Sequence, residues 1–440
     1  MNVRPIPERA APGRPPPAWG PSNHQWGRPE GIRHDRRLRI LFLASYFPKP
    51  TNPWMGTWAL SQAKALARQP LQLRTVSFTS WVPDLPALSP GARAYARCPV
   101  AHEFDGLRVV YPRWAFYQVN PFAKWARRDP RVQLEIAWLS VRARLLRCAA
   151  EWRPDVLFAH HALVNGYMAE RLKECTGIPY IVTDHDFDEI RDCARFAGRW
   201  QAYARVARSA HTMVSVSSRM ERDVRAIFPG TATRTIWNGA DPIDPSVLAR
   251  ARPAELVGRA VVFNCGNFAL RKDVPRLIAA FATVAAQRRH AVLRIAGDGV
   301  ERPAVERAVR ESCVSGQIRL LGRLPQNQVF QEMAWSDLVA LTGYDEPFAT
   351  VFLEAMAAGR PIIYCSDGGI TDVVADGVDG IAVPPRDRAA IVRALFVLLD
   401  DANMRERMGR HASQVHRRRL TWDANAEAMH EVFERASREA

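Results

Sequence analysis

The sequence predicts an α/β protein in which two doubly wound domains, each built on a parallel sheet, face a central cleft. The 440 residues suffice for two or three domains, and 48% of them are hydrophobic, enough to fill a core in each. Short apolar runs alternate with helix-like stretches, a pattern typical of parallel sheets covered on both faces. The alternation stops once, at a segment interrupted by prolines, and then restarts. The chain therefore divides into two units of comparable size.

Residues 1–37 precede the first unit and have a different composition. They hold eight of the 32 prolines and seven arginines against three acidic residues. Such a segment buries too little apolar surface to offset the entropy of ordering it. We expect a disordered basic tail, either merely solvated or in contact with anionic phosphates or lipid head groups.

The first unit begins with the apolar run LRILFLASYF, which has the length and continuity of a buried strand. The segment GTWALSQAKALARQ predicts a helix over residues 56–69, and LQLRTVSF predicts the next strand. The runs DVLFAHH, PYIVTDHD and HTMVSVSS predict further buried strands, each followed by a helix-like stretch. We expect residues 38–245 to form the N-terminal domain.

The second unit follows a polar segment with three prolines, residues 238–255. Six apolar runs predict its strands: RAVVFNCG, AVLRIAGDG, QIRLLGRL, SDLVALTGY, RPIIYCSDGG and GIAVPP. Helices are predicted over 274–286 and 349–358. The second domain is expected over 246–418, and residues 419–440 form a closing helix-like segment. Ligands of open α/β sheets bind beyond the carboxyl ends of the strands, so the expected site is the cleft between the domains.

Charge and cysteines restrict the classes of function. Lys and Arg number 61 against 45 Asp and Glu, a net charge of +16, which suits nucleic acid, acidic lipid or a diphosphate ligand. No uncharged stretch reaches the roughly 18 apolar residues of a membrane span, and no apolar region at the start indicates a secretory signal. The seven cysteines are scattered, so neither a zinc ribbon nor a C-x-x-C pair is available. We expect free thiols and a cytoplasmic location.

The segment YDEPFATVFLEAMAAGRP carries the strongest candidates for a functional site. Glu346 precedes a proline, and Glu354 falls among Ala, Leu and Met of the predicted helix. A carboxylate in an apolar helix is costly without partners, which indicates a hydroxyl-rich or cationic ligand. The amides at the helix start, near residues 348–351, predict an anion site. The alternative is that Glu354 belongs to a surface stripe and Glu346 to an ordinary turn.

This segment resembles the E-x7-E signature of retaining glycosyltransferases with the GT-B fold. GRP followed by SDGGITDVVADGVDGIAVPP is similar to the family 4 glycosyltransferases, as are GNFALRKD, RIAGDGVER, IRLLGRLP and IWNGAD in order and spacing. The resemblance extends over nearly all of the second domain and, more loosely, over the first. It implies a GT-B fold of two Rossmann-like domains, with residues 419–440 crossing back to the N-terminal domain.

The resemblance implies a cationic site for the donor diphosphate, whose negative charge grows as it departs. In the family, an Arg and a Lys after the first strand of the second domain fill this role. The Lys corresponds to Lys272, whereas Asn267 occupies the Arg position and Asp273 replaces the usual following Gly. Arg271 is the candidate replacement for the missing Arg. The alternative for Lys272 is a solvated loop lysine.

The resemblance also assigns roles to the acidic segment. Glu354 would hold the ribose hydroxyls of the donor, and Glu346 would contact the transferred sugar, both through charge-assisted hydrogen bonds. The backbone amides of Phe348, Ala349 and Thr350 would meet the sugar and the diphosphate.

In the first domain, Gly56 corresponds to a glycine of a flexible loop near the donor diphosphate and the acceptor. TDHDFDE resembles the family's T-x-H-G segment, which places His185 at the histidine that contacts the transferred sugar, with Asp186 instead of the glycine. A purely structural His185 is the alternative. His160 and His161 are weaker candidates for the acceptor side.

The cluster DHDFD also fits a metal site, because D-x-D carboxylates hold Mg²⁺ or Mn²⁺ in the GT-A glycosyltransferases. GT-B members use protein cations instead, so we expect no metal and no cofactor; the nucleotide sugar is a substrate. The sequence has no G-x-G-x-x-G, P-loop, G-x-S-x-G or H-E-x-x-H motif.

The sequence thus predicts a retaining, metal-independent glycosyltransferase of the hexosyltransferase type, with catalytic roles for Glu346, His185 and Lys272. It would move a sugar from a UDP- or GDP-sugar to a glycan or lipid-linked acceptor, in glycan, exopolysaccharide or glycolipid assembly. The alternative is a catalytically impaired relative that binds nucleotide sugars or serves in an assembly, which the departures at Asn267 and Asp273 motivate.

The net charge bears on two other classes of partner. No basic helix or stacking-aromatic motif accompanies it, so no nucleic acid is expected. Peripheral contact with an anionic membrane, at the inner face of the cell membrane, is compatible with it.

Overall fold

The computed structural model describes residues 37–85, 89–117 and 122–440. Within them the chain forms two large sheets, each packed between helices, which confirms the predicted α/β class with two doubly wound units. The predicted tail over residues 1–37 lies outside the described residues except for Arg37. The domain limits 38–245, 246–418 and 419–440 stay predictions.

The strands of the N-terminal unit are β1 (Leu38–Leu43), β2 (Leu71–Val76), β3 (Thr79–Ser80), β4 (Ala101–Phe104), β5 (Leu107–Val110), β6 (Arg113–Trp114), β7 (Val156–His160), β8 (Tyr180–Asp184), β9 (Thr212–Ser215) and β10 (Thr233–Thr235). Eight of them form one sheet in the order β10-β9-β8-β7-β1-β2-β5-β4, and β3 pairs with β6 separately. All neighbours in the large sheet are parallel except β4 and β5.

The helices of this unit are α1 (Thr57–Arg68), α2 (Pro90–Ala96), α3 (Phe122–Arg128), α4 (Arg131–Trp152), α5 (Tyr167–Thr176), α6 (Phe187–Arg195), α7 (Ala197–Ser209), α8 (Ser218–Ile227) and α9 (Pro245–Leu248). A single π-helical stretch, His161–Gly166, joins β7 to α5.

The strands of the second unit are β11 (Ala260–Asn267), β12 (Ala291–Asp298), β13 (Ile318–Gly322), β14 (Leu338–Leu341), β15 (Ile362–Cys365) and β16 (Gly380–Val383). They form an all-parallel sheet in the order β13-β12-β11-β14-β15-β16. The helices are α10 (Val274–Ala285), α11 (Arg302–Glu311), α12 (Gln326–Trp335), α13 (Thr350–Ala357), α14 (Arg388–Asp400), α15 (Ala402–Arg419) and α16 (Trp422–Arg438).

Strand β1 shows why its sequence is a continuous apolar run. Ile40 and Phe42 belong to the core shared with α1 and α16, whereas Leu41 and Leu43 belong to the core on the opposite face. All four side chains are fully buried. Because successive residues of a strand point to opposite faces, a sheet covered twice needs apolar residues at every position.

Helix α16 packs against the first sheet although it follows the second one in the chain. Its buried residues Trp422, Ala426, Met429 and Phe433 recur at helical spacing and share a core with α1 and β1. A hydrogen bond also holds α16 in place: Asn425 Nδ2 donates to the carbonyl of Trp237 (2.7 Å), in the segment that joins the two units.

The β4–β5 pair was not predicted from the sequence. It is an antiparallel hairpin at the edge of an otherwise parallel sheet. Asp105 and Gly106 form its two-residue turn with φ of 47° and 83°. An Asp-Gly turn between strand-like residues is a known hairpin signal, but β4 is half-exposed and lacks the apolar run of the other strands.

Among the described residues, none of the helices is both long and apolar enough to cross a membrane. All seven cysteines are free thiols, as expected from their scattered positions.

The packing of α16 predicts the effect of one core substitution. Phe433 is fully buried, with its ring 5.3 Å from that of Phe158 in β7. Phe433→Ala should lower the free energy of unfolding by about 3 to 5 kcal/mol, because it leaves a cavity between α16 and the sheet. Urea unfolding followed by circular dichroism measures the change.

Arg435→Ala, at an exposed position of the same helix, is the matched control and should change stability by less than about 0.5 kcal/mol. Equal stability of the two variants would contradict the docking of α16 on the sheet.

Candidate functional site

The loops at the carboxyl ends of the two sheets line one cleft of about 720 Å³. His185 and Asp186, after β8, line it from the first unit, and Asn267 and Arg271, after β11, line it from the second. The cleft therefore lies where the parallel strands of both units end, which is the usual place for ligands in such sheets.

A cation and carboxylate cluster forms the second unit's part of the site. Glu346 is only 5% exposed. Lys272 Nζ lies 2.7 Å from one of its carboxylate oxygens, and Arg271 Nε lies 3.4 Å from the other. The neighbouring Arg271 and Lys272 thus both face Glu346, although adjacent residues need not point the same way.

The turn that carries these cations is shaped by two residues. Asp273 has φ 45°, a left-handed conformation at the start of α10, and its carboxylate accepts a hydrogen bond from Arg276 Nε (2.5 Å). Asp adopts this conformation more readily than most residues, which accounts for Asp at a position where the family usually has Gly. Gly343 packs against the same turn: a Cβ there would lie 2.8 Å from the carbonyl oxygen of Arg271.

Asn267 ends strand β11 and is exposed. It lines the cleft and also a smaller neighbouring cavity, whose walls include Lys272, Glu346 and Ala349. The structure therefore brings Asn267, Lys272, Glu346 and Ala349 around one small space.

Helix α13 begins at Thr350, with Ala349 as an N-cap that makes no side-chain cap hydrogen bond. The buried Phe348 precedes it, and its carbonyl accepts a hydrogen bond from Asn238 Nδ2 (3.3 Å) in the segment between the units. The start of α13, where backbone amides favour an anion, thus lies against the segment that joins the two units.

Glu354 lies one turn into α13. It is half-buried and accepts a hydrogen bond from Gln326 Nε2 (2.8 Å). Burial raises the pKa of Glu354 to about 7, and the negative charge of Asp241 raises it further, while the Gln326 bond opposes the rise. The same carboxylate contributes to the raised pKa of Cys265, about 12, which burial mainly causes and which Lys272 opposes.

His185 is held at the end of β8 by its own backbone. Its N–H donates to Asp184 Oδ1 (2.9 Å), and its ring lies 4.6 Å from the ring of His160. Burial lowers the pKa of His185 well below the usual value, and the nearby His161 lowers it further, so the ring is neutral near pH 7. His160 Nε2 bonds to Gln62 Oε1 (2.6 Å) on α1.

The DHDFD carboxylates do not converge on one point. Asp186 and Asp188 lie 3.7 and 3.6 Å from Arg271, whereas Asp184 is buried and accepts a hydrogen bond from Tyr203 (2.7 Å). Among the described residues, the one group with ligand atoms within 4.8 Å of one another is His161, Asp184 and Glu189. Burial raises the pKa of Asp184 and of Glu189, which reduces the negative charge this group offers a cation.

Gly56 is the N-cap of α1 and has φ 66°. A Cβ at this position would lie 2.3 Å from the carbonyl oxygen of Tyr46, so only glycine fits. Tyr46 and Trp58 line the cleft, and Gly56 therefore fixes the rim of the site.

Ion pairs across the cleft were not predicted from the sequence. Asp345, with φ 56°, accepts hydrogen bonds from Arg191 of α6 (2.7 and 2.8 Å) and Arg219 of α8 (2.8 Å). The Arg191 hydrogen bond, followed by its charge, lowers the pKa of Asp345. These partners are more than 100 residues apart in the chain, so no local pattern indicates them.

Two family models match most of the chain. The model described as Glycosyltransferase Family 4 matches residues 55–243, and Glycosyl transferases group 1 matches residues 249–415. The chain is 29% identical over 305 residues to a glycogen synthase of Mycobacterium tuberculosis, covering 68% of this chain and 73% of that protein. It is 26% identical over 408 residues to a D-inositol 3-phosphate glycosyltransferase of Nocardia farcinica, covering 87% and 84%.

Solved structures share the fold. Sucrose-phosphate synthase from Thermosynechococcus elongatus matches with a TM-score of 0.73 and 18% identity, over 92% of this chain and 100% of that one. HepE from Anabaena, solved in complex with UDP-glucose, matches with a TM-score of 0.64 and 18% identity, over 91% of this chain and 100% of that one.

The raised pKa of Glu354 predicts a pH-dependent change in stability. The carboxyl ionises near 4.5 when unfolded and near 7 when folded, so rising pH favours the unfolded state between these values. Glu354→Gln removes the ionisable carboxyl and with it this loss of stability at rising pH. From pH 5 to pH 8, the free energy of unfolding of the variant should therefore rise by about 1 to 2 kcal/mol relative to that of the wild type. This value is reduced because the side chain is partly exposed.

Urea unfolding at the two pH values measures this difference. Glu427→Gln, at an exposed position of α16, is the control and should show no such dependence. A stability difference for Glu354→Gln that is the same at pH 5 and pH 8 would contradict the raised pKa.

Proposed function

Because the chain belongs to the family 4 glycosyltransferases and has the GT-B fold, we propose that it transfers a sugar from a nucleoside-diphosphate sugar to an acceptor hydroxyl with retention of configuration. Sugar transfer follows from the family; the donor, the stereochemistry and the metal independence are our proposal. The observation that carries it is the cluster of Lys272, Arg271 and Glu346. Arg271 lines the cleft, and Lys272 and Glu346 line the small cavity beside it, next to the start of α13.

The donor is a UDP- or GDP-sugar, and its diphosphate binds at the cation cluster. The complex of Anabaena HepE with UDP-glucose supports a nucleotide-sugar donor for this fold. Lys272 and Arg271 neutralise the diphosphate, with Asn267 beside them, and the amides of Phe348, Ala349 and Thr350 add the positive end of α13. Gly56, in the opposing loop of the N-terminal unit, lets the backbone of that loop come close to the diphosphate.

Glu354 binds the ribose hydroxyls, which donate to its carboxylate. Its Gln326 partner is a neutral side chain that a ribose hydroxyl can displace without leaving a buried charge unpaired. This role needs the ionised form of Glu354.

In the transfer step, the bond between the anomeric carbon and the diphosphate oxygen breaks while a bond to the acceptor oxygen forms on the same face. The proton of the acceptor hydroxyl passes to the departing diphosphate oxygen, so no protein base is required. Glu346 and the neutral His185 position the sugar, and Lys272 stabilises the charge that grows on the leaving group. Once the diphosphate is present, Lys272 has an anionic partner other than Glu346.

Protein cations replace a metal in this proposal. Arg271 and Lys272 both face the carboxylate of Glu346, so the site holds two cations even though Asn267 occupies the usual Arg position. The left-handed Asp273 accommodates the second departure from the family pattern. These contacts favour an active transferase over a catalytically impaired binding protein.

We also propose that the α3–α4 surface, formed by the exposed residues of these two helices, contacts anionic membrane and so brings the enzyme to a lipid-linked acceptor at the cytoplasmic face. Its apolar members are Trp125, Val132, Ile136 and Leu139, each 49–65% exposed. Exposed basic residues flank them, at positions Lys124, Arg128, Arg142 and Arg147. Apolar side chains beside basic ones are typical of surfaces that bind anionic lipid.

The donor site predicts metal-free binding of one nucleoside diphosphate. UDP, GDP and ADP are titrated calorimetrically into the protein in EDTA and again with Mg²⁺. One of UDP and GDP should bind in EDTA. Lys272→Ala should weaken that binding about 10- to 100-fold, because it removes a charge-assisted hydrogen bond worth about 1.5 to 3 kcal/mol.

Lys173→Ala is the control, since Lys173 bonds to the carbonyl of Ser209 outside the cleft and should leave binding unchanged. Circular dichroism verifies that each variant is folded. No nucleotide binding, or binding that requires Mg²⁺, would contradict the proposed donor site.

The α3–α4 surface predicts binding to vesicles. The wild type should co-sediment with vesicles that contain phosphatidylglycerol, and added salt should weaken this binding by screening the basic residues. Ile136→Ser combined with Leu139→Ser should reduce it about tenfold, because two apolar side chains no longer insert.

Val397→Ser, at an exposed position of α14 in the second unit, is the control and should bind like the wild type. Equal binding to vesicles of phosphatidylcholine alone, or no binding at all, would overturn this assignment.

A further inference from the structure

A second cavity, of about 360 Å³, lies in the N-terminal unit next to the cleft. The two share wall residues, among them Tyr46, Phe116, Tyr117 and His161, so the second cavity adjoins the cleft. Its volume falls in the range of about 300 to 1,000 Å³ typical of small-molecule sites. We call it the β6–α2 cavity after two elements that form its wall.

No Lys, Arg, Asp or Glu is among the described residues that line the β6–α2 cavity. The stretches next to these lining residues in sequence, 86–88 and 118–121, contain no charged residue either. Burial lowers the pKa of the lining His161, so this ring is neutral near pH 7. The overall charge of the protein is +16, so a cavity wall without cations does not simply follow from its composition.

Aromatic rings form much of the wall. Phe78 stacks on Trp114 with ring centroids 4.6 Å apart, and Trp114 packs at 5.1 Å against Phe116. Tyr46 stands where the cavity meets the cleft and is 39% exposed. Aromatic faces provide apolar area against which the C–H groups of a sugar ring can pack.

Neutral polar groups complete the wall. Ser45 donates its hydroxyl hydrogen to Asn165 Oδ1 (2.7 Å), and Ser80 donates to the carbonyl of Phe116 (2.6 Å). Both serine oxygens keep lone pairs that can accept hydrogen bonds from a ligand hydroxyl. Aromatic faces with a few neutral hydrogen-bonding groups suit an uncharged, hydroxyl-bearing ring.

Each arginine among the described residues that line the adjoining cleft lies beside an acidic side chain. Among its described lining residues, Arg127 is bound to Asp192 (2.6 Å), and Arg271 faces Glu346 (3.4 Å). The remaining one, Arg199, lies 3.9 Å from Glu189. A phosphate or carboxylate on the acceptor would therefore have to compete for a cation with these carboxylates and, at Arg271, with the proposed donor diphosphate, which makes its desolvation costly.

We propose that the β6–α2 cavity receives the acceptor and selects an uncharged sugar over a phosphorylated or carboxylated one. The inference rests on the proposed transferase function, because it assumes that the donor sugar is presented from the adjoining cleft. Tyr46 is the specificity residue at the junction, where it packs against the acceptor ring next to the point of transfer. An apolar lipid chain is the competing occupant.

The experiment compares neutral saccharides with their phosphorylated counterparts on the full chain. Glucose, maltose, sucrose and trehalose, each with and without a phosphate, are supplied with the donor whose nucleotide binds in calorimetry. At least one neutral saccharide should accept sugar with a kcat/KM about 100-fold above that of its phosphorylated form, the effect of about 2.7 kcal/mol of unpaired charge. Long-chain alcohols without a sugar should not be glycosylated.

Two variants report on the cavity itself. Ala92→Arg places a cation in its wall and should narrow the preference for neutral over phosphorylated acceptors about tenfold. Ala94→Arg, on the same helix but outside the wall, is the matched control and should keep the preference. Tyr46→Ala should raise the acceptor KM up to about tenfold, because the acceptor ring loses the aromatic face against which it packs.

The outcomes separate the two proposals. Donor hydrolysis without transfer to any neutral saccharide, preference for a phosphorylated acceptor, or efficient glycosylation of a long-chain alcohol would overturn the inference and leave the transferase function standing. An unchanged preference in a folded, nucleotide-binding Ala92→Arg would also overturn it. If the protein neither binds a nucleotide nor hydrolyses a donor, the proposed function is overturned, and the inference is overturned with it.

Discussion

The carboxylate of Glu346 is nearly buried, and a charge in that position is tolerated only beside a cation. Lys272 satisfies it directly, with Arg271 on the other oxygen, and the loop after β14 is thereby fastened to the turn after β11. Because both strands are parallel and adjacent in the sheet, their loops emerge on the same edge. The ion pair thus lies beside the cleft, and the proposed donor diphosphate would meet two cations that are already in place.

The residue before Glu346 extends the same constraint to the other unit. Asp345 has a left-handed backbone, and its carboxylate reaches Arg191 and Arg219 on helices of the N-terminal unit. Consecutive residues of one loop therefore contact the cation cluster of their own unit and two helices of the N-terminal unit. The loop that carries Glu346 is therefore also one of the contacts between the two units.

The sheets and the candidate site residues could be predicted from the sequence because they follow from local patterns. The contacts between these residues could not, because they join distant parts of the chain. The strands covered on both faces were predictable because every position of a run such as LRILFLASYF must be apolar. Lys272 and Glu346 were recognised as separate candidates, but their pairing was not, since it joins loops 74 residues apart. The contacts of Asp345 span still longer separations, and β4 is too exposed to carry an apolar signal. The neutral β6–α2 cavity arises from segments before and after α2, so no single stretch of sequence reveals it.

A crystal structure of the protein with UDP or GDP, whichever binds, would show whether Lys272 and Arg271 hold the diphosphate. We expect the β-phosphate within about 3 Å of Lys272 Nζ, a charge-assisted hydrogen-bond distance, and the ribose hydroxyls on the carboxylate of Glu354. Lys272 would then be shared between Glu346 and the phosphate. A diphosphate held instead through a metal ion on Asp186 and Asp188, with the Lys272–Glu346 pair intact and remote from the nucleotide, would contradict it.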